Sequence, residues 1–521
     1  MSKLEKTRKE QLIGLVRAHY LFQDQYKESY IWIRDDTQNQ VKKIISQDFY
    51  TWLGDQYFLA CNDYPSFDNI KDASRCIDGR ARCGNAETFA LSTRCSHEHE
   101  SIYVDLGQAS GRVIQINGFG WSNEIPSKPI FRRFQHQKPL PPVHPLSKNA
   151  RSYSQSQKGL LAKLKTWIPI KSDGDLLLLL AWVVATIVSK KSKPILCFVG
   201  PKGSGKSTSS AIVKNILDPS ENERSMIFDE KDFAMSLSQN GIVLLDNLTG
   251  LSKKQAHILC MAATSGSFQK RSLYTDEDMK TYKFTGSVIL NGIHTLTKQP
   301  DLLDRMLTIE LTTLLPHERL KEQEIWDDFQ MFHSEVLGLI FDKCSQVMKM
   351  ELGFQAQGSY RLQDFGEIGE RVAVAFGFEQ MDFVKAYQDK QALQQSDIYE
   401  DPLFQVLCEM VSEREEFRVT STDLLRKVLA HQPDLVESYP YNLNSSQIGR
   451  FLNEHHHAFL EKGIRISRQA GRGKGRIIVL SAINGASSAS SVENLNDIST
   501  SSYLPKDSKD AGDSKKVYME T

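Results

Sequence analysis

Nine residues, GPKGSGKST at positions 200–208, have types and spacing that suit the binding of a phosphate group. They fit the pattern G-x-x-x-x-G-K-[ST] and directly follow the apolar run PILCFV. Glycines let backbone N–H groups converge on an anion, and the helix predicted next adds its positive end. The alternative is a glycine-rich turn that binds nothing. The candidate nucleotide-binding residues are Gly200, Pro201, Lys202, Gly203, Ser204, Gly205, Lys206, Ser207 and Thr208.

Two further apolar runs end in polar residues. GIVLLDNLTG places Asp246 and Asn247 at the end of a predicted strand, and GSVILNGI places Asn291 at the end of another. Ligands of open α/β sheets collect at the carboxyl ends of the strands, so we expect these side chains beside the phosphate loop. Asp246 would then hold Mg²⁺ together with Ser207, and Lys206 would reach the β- and γ-phosphates. An ordinary strand that ends in an Asp-Asn turn is the alternative for Asp246.

Arg305 lies in QPDLLDRM, shortly after a Pro-Asp turn. Its guanidinium suits contact with a nucleotide, either in its own subunit or in a neighbouring one. A surface ion pair with Asp301 or Asp304 is the alternative.

Basic residues beside aromatic residues predict two nucleic-acid contacts. Lys270 and Arg271 lie in SFQKRSLYTDED, which suits a hairpin that holds phosphates while a base stacks on a ring. Residues 461–479 contain six basic residues and one acid, and GRGKG would form the tip of a C-terminal hairpin. A solvated basic turn and a hairpin used for packing are the alternatives. The candidate DNA-binding residues are Lys270, Arg271, Gln447, Arg450, Arg468, Arg472, Lys474 and Arg476.

Strands and helices that alternate between about 155 and 315 predict an α/β core with a parallel sheet. We expect an α+β domain over 1–145, which ends in the linker KPLPPVHP, and the α/β core over 146–318. A helical connector would follow over 319–398, a domain of three helices and a hairpin over 399–480, and a disordered tail over 481–521. The 13-residue apolar run from Leu176 to Val188 is too short to cross a bilayer and predicts a buried helix.

Composition indicates a cytoplasmic protein that is not embedded in a membrane. The chain has 521 residues, eight cysteines and equal numbers of basic and acidic residues, 64 of each. No apolar leader is visible at the amino terminus. Because the formal net charge is zero, the chain has no overall positive potential that would indicate nucleic-acid binding, and any basic surface must be local. Cysteines and histidines near positions 61–99 have irregular spacing, which disfavours zinc. The triplet HHH at 455–457 is expected to end a recognition helix.

The order of Lys206, Asp246, Asn291 and Arg305 resembles the AAA+ ATPase core. Its short spacing, together with ATSGSFQKRSLYTDEDMKTYKFTGSVILNGI, resembles the superfamily 3-like helicases of phages and integrated elements. This resemblance implies ATP and Mg²⁺ as cofactors, a homo-oligomeric ring that is expected to be a hexamer, and Arg305 acting on a neighbour's nucleotide. It also implies single- and double-stranded DNA as partners, with a primase or primase-polymerase as a further partner. The C-terminal pattern is similar to a winged helix.

Asn247 stands where many AAA+ proteins carry a glutamate as general base. An amide accepts no proton, so Glu230 or another carboxylate would have to activate water, or hydrolysis would be slow. Arg361 is a weak candidate for a second nucleotide-sensing arginine. The resemblance predicts an ATP-dependent DNA helicase. The alternatives are a DNA-dependent initiator or loader that does not unwind DNA, and a nucleotide-gated DNA-binding module, for which anti-phage defence is one role.

Overall fold

The computed structural model describes most of the chain. The described residues are 7–34, 39–83, 87–146, 149–221, 224, 229–248, 250–264, 266–271, 279–292, 297, 299–314, 319–399, 401–412, 416–433, 443–470 and 476–482. The predicted disordered tail therefore lies outside them, apart from its first two residues. The chain divides into two compact units, residues 1–397 and 398–521. The finer division into five domains stays a prediction.

In the amino-terminal part of the first unit, the described residues form two small sheets and three α-helices. One sheet has the order β3-β2-β1-β4, and the other is an antiparallel meander, β5-β6-β7-β8. The runs IYVDLG and RVIQIN contain two antiparallel neighbours of this meander. The elements are α1 (Arg8–Leu15), β1 (Tyr20–Asp24), β2 (Ser29–Arg34), β3 (Asn39–Lys43), α2 (Gln47–Cys61), α3 (Phe67–Cys83), β4 (Thr88–Phe89), β5 (Cys95–Glu98), β6 (Ser101–Asp105), β7 (Val113–Asn117) and β8 (Gly120–Glu124).

A parallel four-stranded sheet forms the centre of the first unit, as predicted. Its order is β10-β13-β9-β14, and every neighbouring pair is parallel. Helices cover it, so its strands are apolar throughout rather than alternating. The elements are α4 (Ala150–Trp167), α5 (Asp173–Val188), β9 (Ile195–Val199), α6 (Lys206–Leu217), α7 (Glu230–Gln239), β10 (Ile242–Leu248), α8 (Lys253–Ala263), β11 (Ser267–Arg271), β12 (Met279–Lys283), β13 (Ser287–Gly292), α9 (Pro300–Leu303) and β14 (Met306–Glu310).

Helix α5 is the predicted buried helix, and its side chains from Asp175 to Ile187 are all buried. Three long helices complete the first unit: α10 (Glu322–Lys349), α11 (Gln363–Phe376) and α12 (Gln380–Tyr399). One apolar cluster contains Ile116 of the meander, Trp182 of α5, Phe198 of the sheet and Phe341 of α10. The meander, the parallel sheet and the helical region therefore share one core. No helix among the described residues is long and apolar enough to span a bilayer.

The described residues of the second unit form four helices and a three-stranded antiparallel sheet with the order β15-β17-β16. The predicted third helix is interrupted: His455 ends one helix and caps the next, so the HHH triplet does not end a single helix. The elements are α13 (Pro402–Ser412), β15 (Glu416–Thr420), α14 (Ser421–His431), α15 (Ser445–Glu454), α16 (His456–Glu461), β16 (Ile464–Ala470) and β17 (Arg476–Ala482).

Candidate nucleotide site

The phosphate loop connects the end of β9 to the start of α6, as predicted. Gly203 and Gly205 have φ values of 83° and 76°, in the left-handed region that glycine adopts without strain. A Cβ atom at Gly200 would lie 2.7 Å from Ser204 Oγ. These three glycines are therefore required by the close path of the loop.

Polar groups of the loop are arranged to receive an anion. Lys206 Nζ donates to the carbonyl oxygens of Gly200 (2.7 Å) and Pro201 (2.9 Å), which folds the lysine back over the loop. Burial lowers the pKa of Lys206, a cost that a bound anion would offset. Ser204 Oγ and Ser209 Oγ are buried without a hydrogen-bond partner among the described residues. No side chain caps the amino terminus of α6, so its first N–H groups face the position of a phosphate.

Ser207 and Asp246 meet at the edge of the sheet. Ser207 Oγ donates to Asp246 Oδ1 over 3.1 Å, although the residues come from α6 and β10. A hydroxyl and a carboxylate oxygen, completed by phosphate oxygens and water, form a ligand set that suits Mg²⁺. The two residues predicted to hold the ion are therefore brought together. Within the described residues, no three His, Cys, Asp or Glu side chains cluster as ligands for a metal.

Asn247 has an unusual backbone conformation. Its φ is 57°, in the left-handed region, and the pairing of β10 with β13 is irregular between Leu245 and Leu248. Such a bulge turns side chains away from their regular alternation, and asparagine tolerates this conformation better than most residues with a Cβ. A glutamate at this position would be strained.

Both polar atoms of the Asn291 side-chain amide form hydrogen bonds within the protein. Its Oδ1 accepts from the backbone N–H of Asn247 (2.8 Å), and its Nδ2 donates to Ser210 Oγ (2.9 Å). The residue is 2% exposed. The amide of Asn291 therefore joins the bulge of β10 to α6. These two hydrogen bonds are possible because β13, which carries Asn291, lies between β10 and β9 in the sheet.

Arg224 is a residue that the sequence did not reveal. Its Nε lies 3.6 Å from Asp246 Oδ2, and its Nη2 lies 3.7 Å from Glu322 Oε1. The residue belongs to no motif and lies in the connection between α6 and α7. A cation therefore already neutralises the carboxylate that is expected to hold Mg²⁺.

Arg305 and Arg361 both pair with Asp301. Arg305 Nη1 contacts Asp301 Oδ1, and Arg361 Nη2 lies 3.6 Å from the same oxygen. The ion pair that was the alternative interpretation of Arg305 is thus present. No contact in the described part of the chain joins either arginine to the phosphate loop. Glu230 is the exposed first residue of α7.

The DNA-binding candidates are described only in part. Lys270 and Arg271 lie on β11, which pairs with β12 in the predicted hairpin, but their side chains are outside the described residues. Arg472 and Lys474, and the side chain of Arg476, are also outside them.

Within α15, Gln447 accepts from the backbone N–H of Asn444 (2.9 Å) and so closes a capping box. Arg450 is exposed. Arg468 donates to Gly449 O (2.9 Å) and to Asn453 Oδ1 (2.8 Å), which ties β16 to α15. Gln447 and Arg468 therefore have structural partners that compete with any contact to a base.

The candidate nucleotide site lies in the part of the chain that matches a model of a known protein family. Residues 163–393, which contain the phosphate loop and Asp246, match the family model of the replication protein of actinomycete integrative conjugative elements. No curated protein matches the chain. Among solved structures, the active helicase Cch of SCCmec type IV is 12% identical, with 89% of this chain and 92% of that chain covered and a TM-score of 0.46. The apo A form of the C-terminal region of NrS-1 is 14% identical, with coverage of 92% and 100% and a TM-score of 0.39.

Proposed function

We propose that this chain is a DNA-dependent replication ATPase that unwinds DNA. The observation that carries the proposal is the 3.1 Å contact between Ser207 Oγ and Asp246 Oδ1 beside a complete phosphate loop. The match of residues 163–393 to a family of replication proteins supports a role in replication.

The residues of the site have separate tasks in this proposal. The N–H groups at the start of α6 and the Lys206 ammonium bind the phosphates, which requires Lys206 to leave the carbonyls of Gly200 and Pro201. Ser207 and Asp246 hold Mg²⁺, which neutralises charge on the phosphates when it is bound. Asn291 keeps the bulge at Asn247 in register with α6. Arg224 would have to leave Asp246 for this carboxylate to serve as a ligand of the metal.

The assembly and the DNA contacts extend this proposal. In a ring, Arg305 would exchange Asp301 for the nucleotide of a neighbouring subunit, and the hairpin with Lys270 and Arg271 would contact a DNA strand. Basic residues of the second unit, among them the exposed Arg450, would contact the duplex.

Phosphate release and strand displacement test the proposal together. Wild-type protein is expected to hydrolyse ATP faster with single-stranded DNA and to displace a labelled strand from a fork. Lys206→Ala should abolish both, whereas Lys158→Ala, an exposed lysine on α4, should change neither. Hydrolysis of ATP without strand displacement would favour the alternative function, an initiator or loader that does not unwind DNA. Equal hydrolysis by Lys206→Ala would refute the proposed site.

A second function, a nucleotide-gated DNA-binding module, is favoured by Asn247. Its amide cannot act as a general base, and its left-handed backbone disfavours a glutamate at that position. Such a module would bind ATP and change its affinity for DNA without releasing phosphate. The same phosphate-release measurement separates the two functions.

A further inference from the structure

A cavity lies at the edge of the parallel sheet that is opposite to the phosphate loop. It has a volume of about 550 Å³ and is lined where the strands begin, by Lys193 before β9, Ile242 of β10 and Thr285 before β13. Residues of the amino-terminal sheets close it, including Arg94 and Cys95. Cavities of this size are typical of small-molecule sites.

The lining of this cavity carries an excess of positive charge. Five cationic residues line it, and Asp218 is the one carboxylate among the lining residues. Asp218 is already paired, because Arg94 Nε donates to its Oδ1 over 2.9 Å and both side chains are buried. Arg94 also donates to three backbone carbonyls. Four cations remain in the lining: Arg132, Lys190, Lys193 and Lys283.

These four cations form no ion pair with a carboxylate in the described part of the chain. Lys190 Nζ lies 3.4 Å from His99 O, and Lys193 Nζ lies 3.5 Å from Thr285 O, both long for hydrogen bonds. Arg132 Nη2 donates to Ser238 O (3.1 Å), while its Nε is buried without a partner among the described residues. A buried guanidinium N–H that lacks an acceptor is costly, so Arg132 is an incompletely paired cation in the lining.

The other titratable groups of the lining do not offset this charge. Burial, with Lys193 and Lys190 nearby, lowers the pKa of His97 to about 4, so the imidazole is neutral. Burial raises the pKa of Cys95 to about 11, so the thiol is also neutral. Burial lowers the pKa of Lys193, which a bound anion would reverse.

The cavity also lies at the base of the β11–β12 hairpin. Ser267 and Lys283 are cross-strand partners at the open end of this hairpin, and both line the cavity. Tyr26 lines it as well, with the guanidinium of Arg132 5.9 Å from its ring centroid. Cations together with an accessible aromatic face suit a nucleotide better than a simple inorganic ion.

We propose that this cavity binds the phosphate group of a nucleotide unit, contributed by a single DNA strand or by a free nucleotide, through Arg132, Lys190, Lys193 and Lys283. None of these residues belongs to the phosphate loop, so the site is separate from the proposed ATP site. A DNA strand as the source rests on the proposed function, whereas the anion site itself does not.

Neutralising two lysines of the cavity tests this site in the full chain. Binding of fluorescein-labelled (dT)20 is measured by anisotropy over a range of salt concentrations without ATP. Lys190→Gln with Lys193→Gln removes two phosphate contacts, so the log–log salt slope should become shallower by about 1.4 and the affinity at 0.15 M salt should fall about tenfold. Lys283→Gln, at an exposed position, should make the slope shallower by about 0.7. Lys191→Gln, an exposed neighbour outside the lining, should leave the slope unchanged.

A free nucleotide is tested separately in the Lys206→Ala background. The Lys206→Ala variant should still bind N-methylanthraniloyl-ADP at the cavity. This binding should disappear when Lys190 and Lys193 are also changed to Gln. If the double substitution weakens the binding of (dT)20, the cavity binds a DNA strand. If it abolishes only the binding of N-methylanthraniloyl-ADP, the cavity binds a free nucleotide. If neither changes while the variants stay folded, the proposal is wrong. Phosphate release by the same variants reports on the ATP site independently.

Discussion

Replacing Asn291 with alanine distinguishes a residue that positions the site from one that binds the reacting groups directly. The substitution removes two hydrogen bonds, one from the N–H of Asn247 and one to Ser210 Oγ. Each contributes about 1 kcal/mol, so the free energy of unfolding should fall by about 2 kcal/mol. Ser210 keeps its bond to Lys206 O (2.7 Å), so its hydroxyl is not left unpaired.

A double-mutant cycle with Ser210→Ala isolates the bond between α6 and β13. We expect a coupling energy of about 1 kcal/mol between the two positions. Urea denaturation followed by tryptophan fluorescence suits the measurement, because all six tryptophans lie before residue 398 and report on the first unit. Hydrolysis by Asn291→Ala should fall about tenfold or more because the bulge at Asn247 is no longer held.

Asn215→Ala serves as the matched control. Asn215 is also buried on α6, and its amide donates to Ala211 O (2.8 Å) within the helix. Its loss should lower stability without a specific loss of hydrolysis. The reasoning is refuted if Asn291→Ala denatures at the same urea concentration as the wild type and shows no coupling to Ser210, because Asn291 would then act only on bound groups.

Three other substitutions have expected outcomes. Arg224→Ala should strengthen Mg²⁺-dependent nucleotide binding up to about fivefold by removing a half-exposed competitor for Asp246; weaker binding, measured by calorimetry, would contradict this. Arg94→Met should lower stability in urea by about 3 kcal/mol because, among the described residues, the buried Asp218 carboxylate then keeps only Lys214 Nζ, 3.7 Å away, as a cationic partner. Burial lowers the pKa of Lys343 to about 8, so the unfolded chain binds more protons between pH 8 and 10, and stability should rise with pH there. Lys343→Met should flatten that rise, and Lys349→Met, on the exposed face of the same helix, should not.

Much of the fold around the site follows from local sequence patterns. The apolar runs before Gly200 and around Leu244 and Ile289 had to be buried on both faces, which a parallel sheet covered by helices provides. The turn between β9 and α6 is local in sequence, so its strand-turn-helix arrangement and the positive φ values of Gly203 and Gly205 were predictable, while the binding of phosphate stays a prediction. The contact of Ser207 with Asp246 follows once both strands are placed in the same sheet.

Contacts made across long sequence separations were not predictable in this way. Arg224 meets Asp246 only because a connection without a motif passes the sheet edge. The amide of Asn291 was expected to face bound groups, yet strand order placed it between Asn247 and Ser210. The cavity lined by Lys193 is formed by segments more than 200 residues apart, and no local pattern reveals it.

Calorimetric titration of the chain with ATP in the presence of Mg²⁺ tests the central claim most directly. The account predicts saturable Mg²⁺-dependent binding to wild-type protein, loss of this Mg²⁺-dependent binding in Lys206→Ala, and a weaker dependence on Mg²⁺ in Ser207→Ala, because the hydroxyl beside Asp246 then no longer serves as a ligand. Binding of ATP by folded Lys206→Ala as tightly as by the wild type would contradict the account.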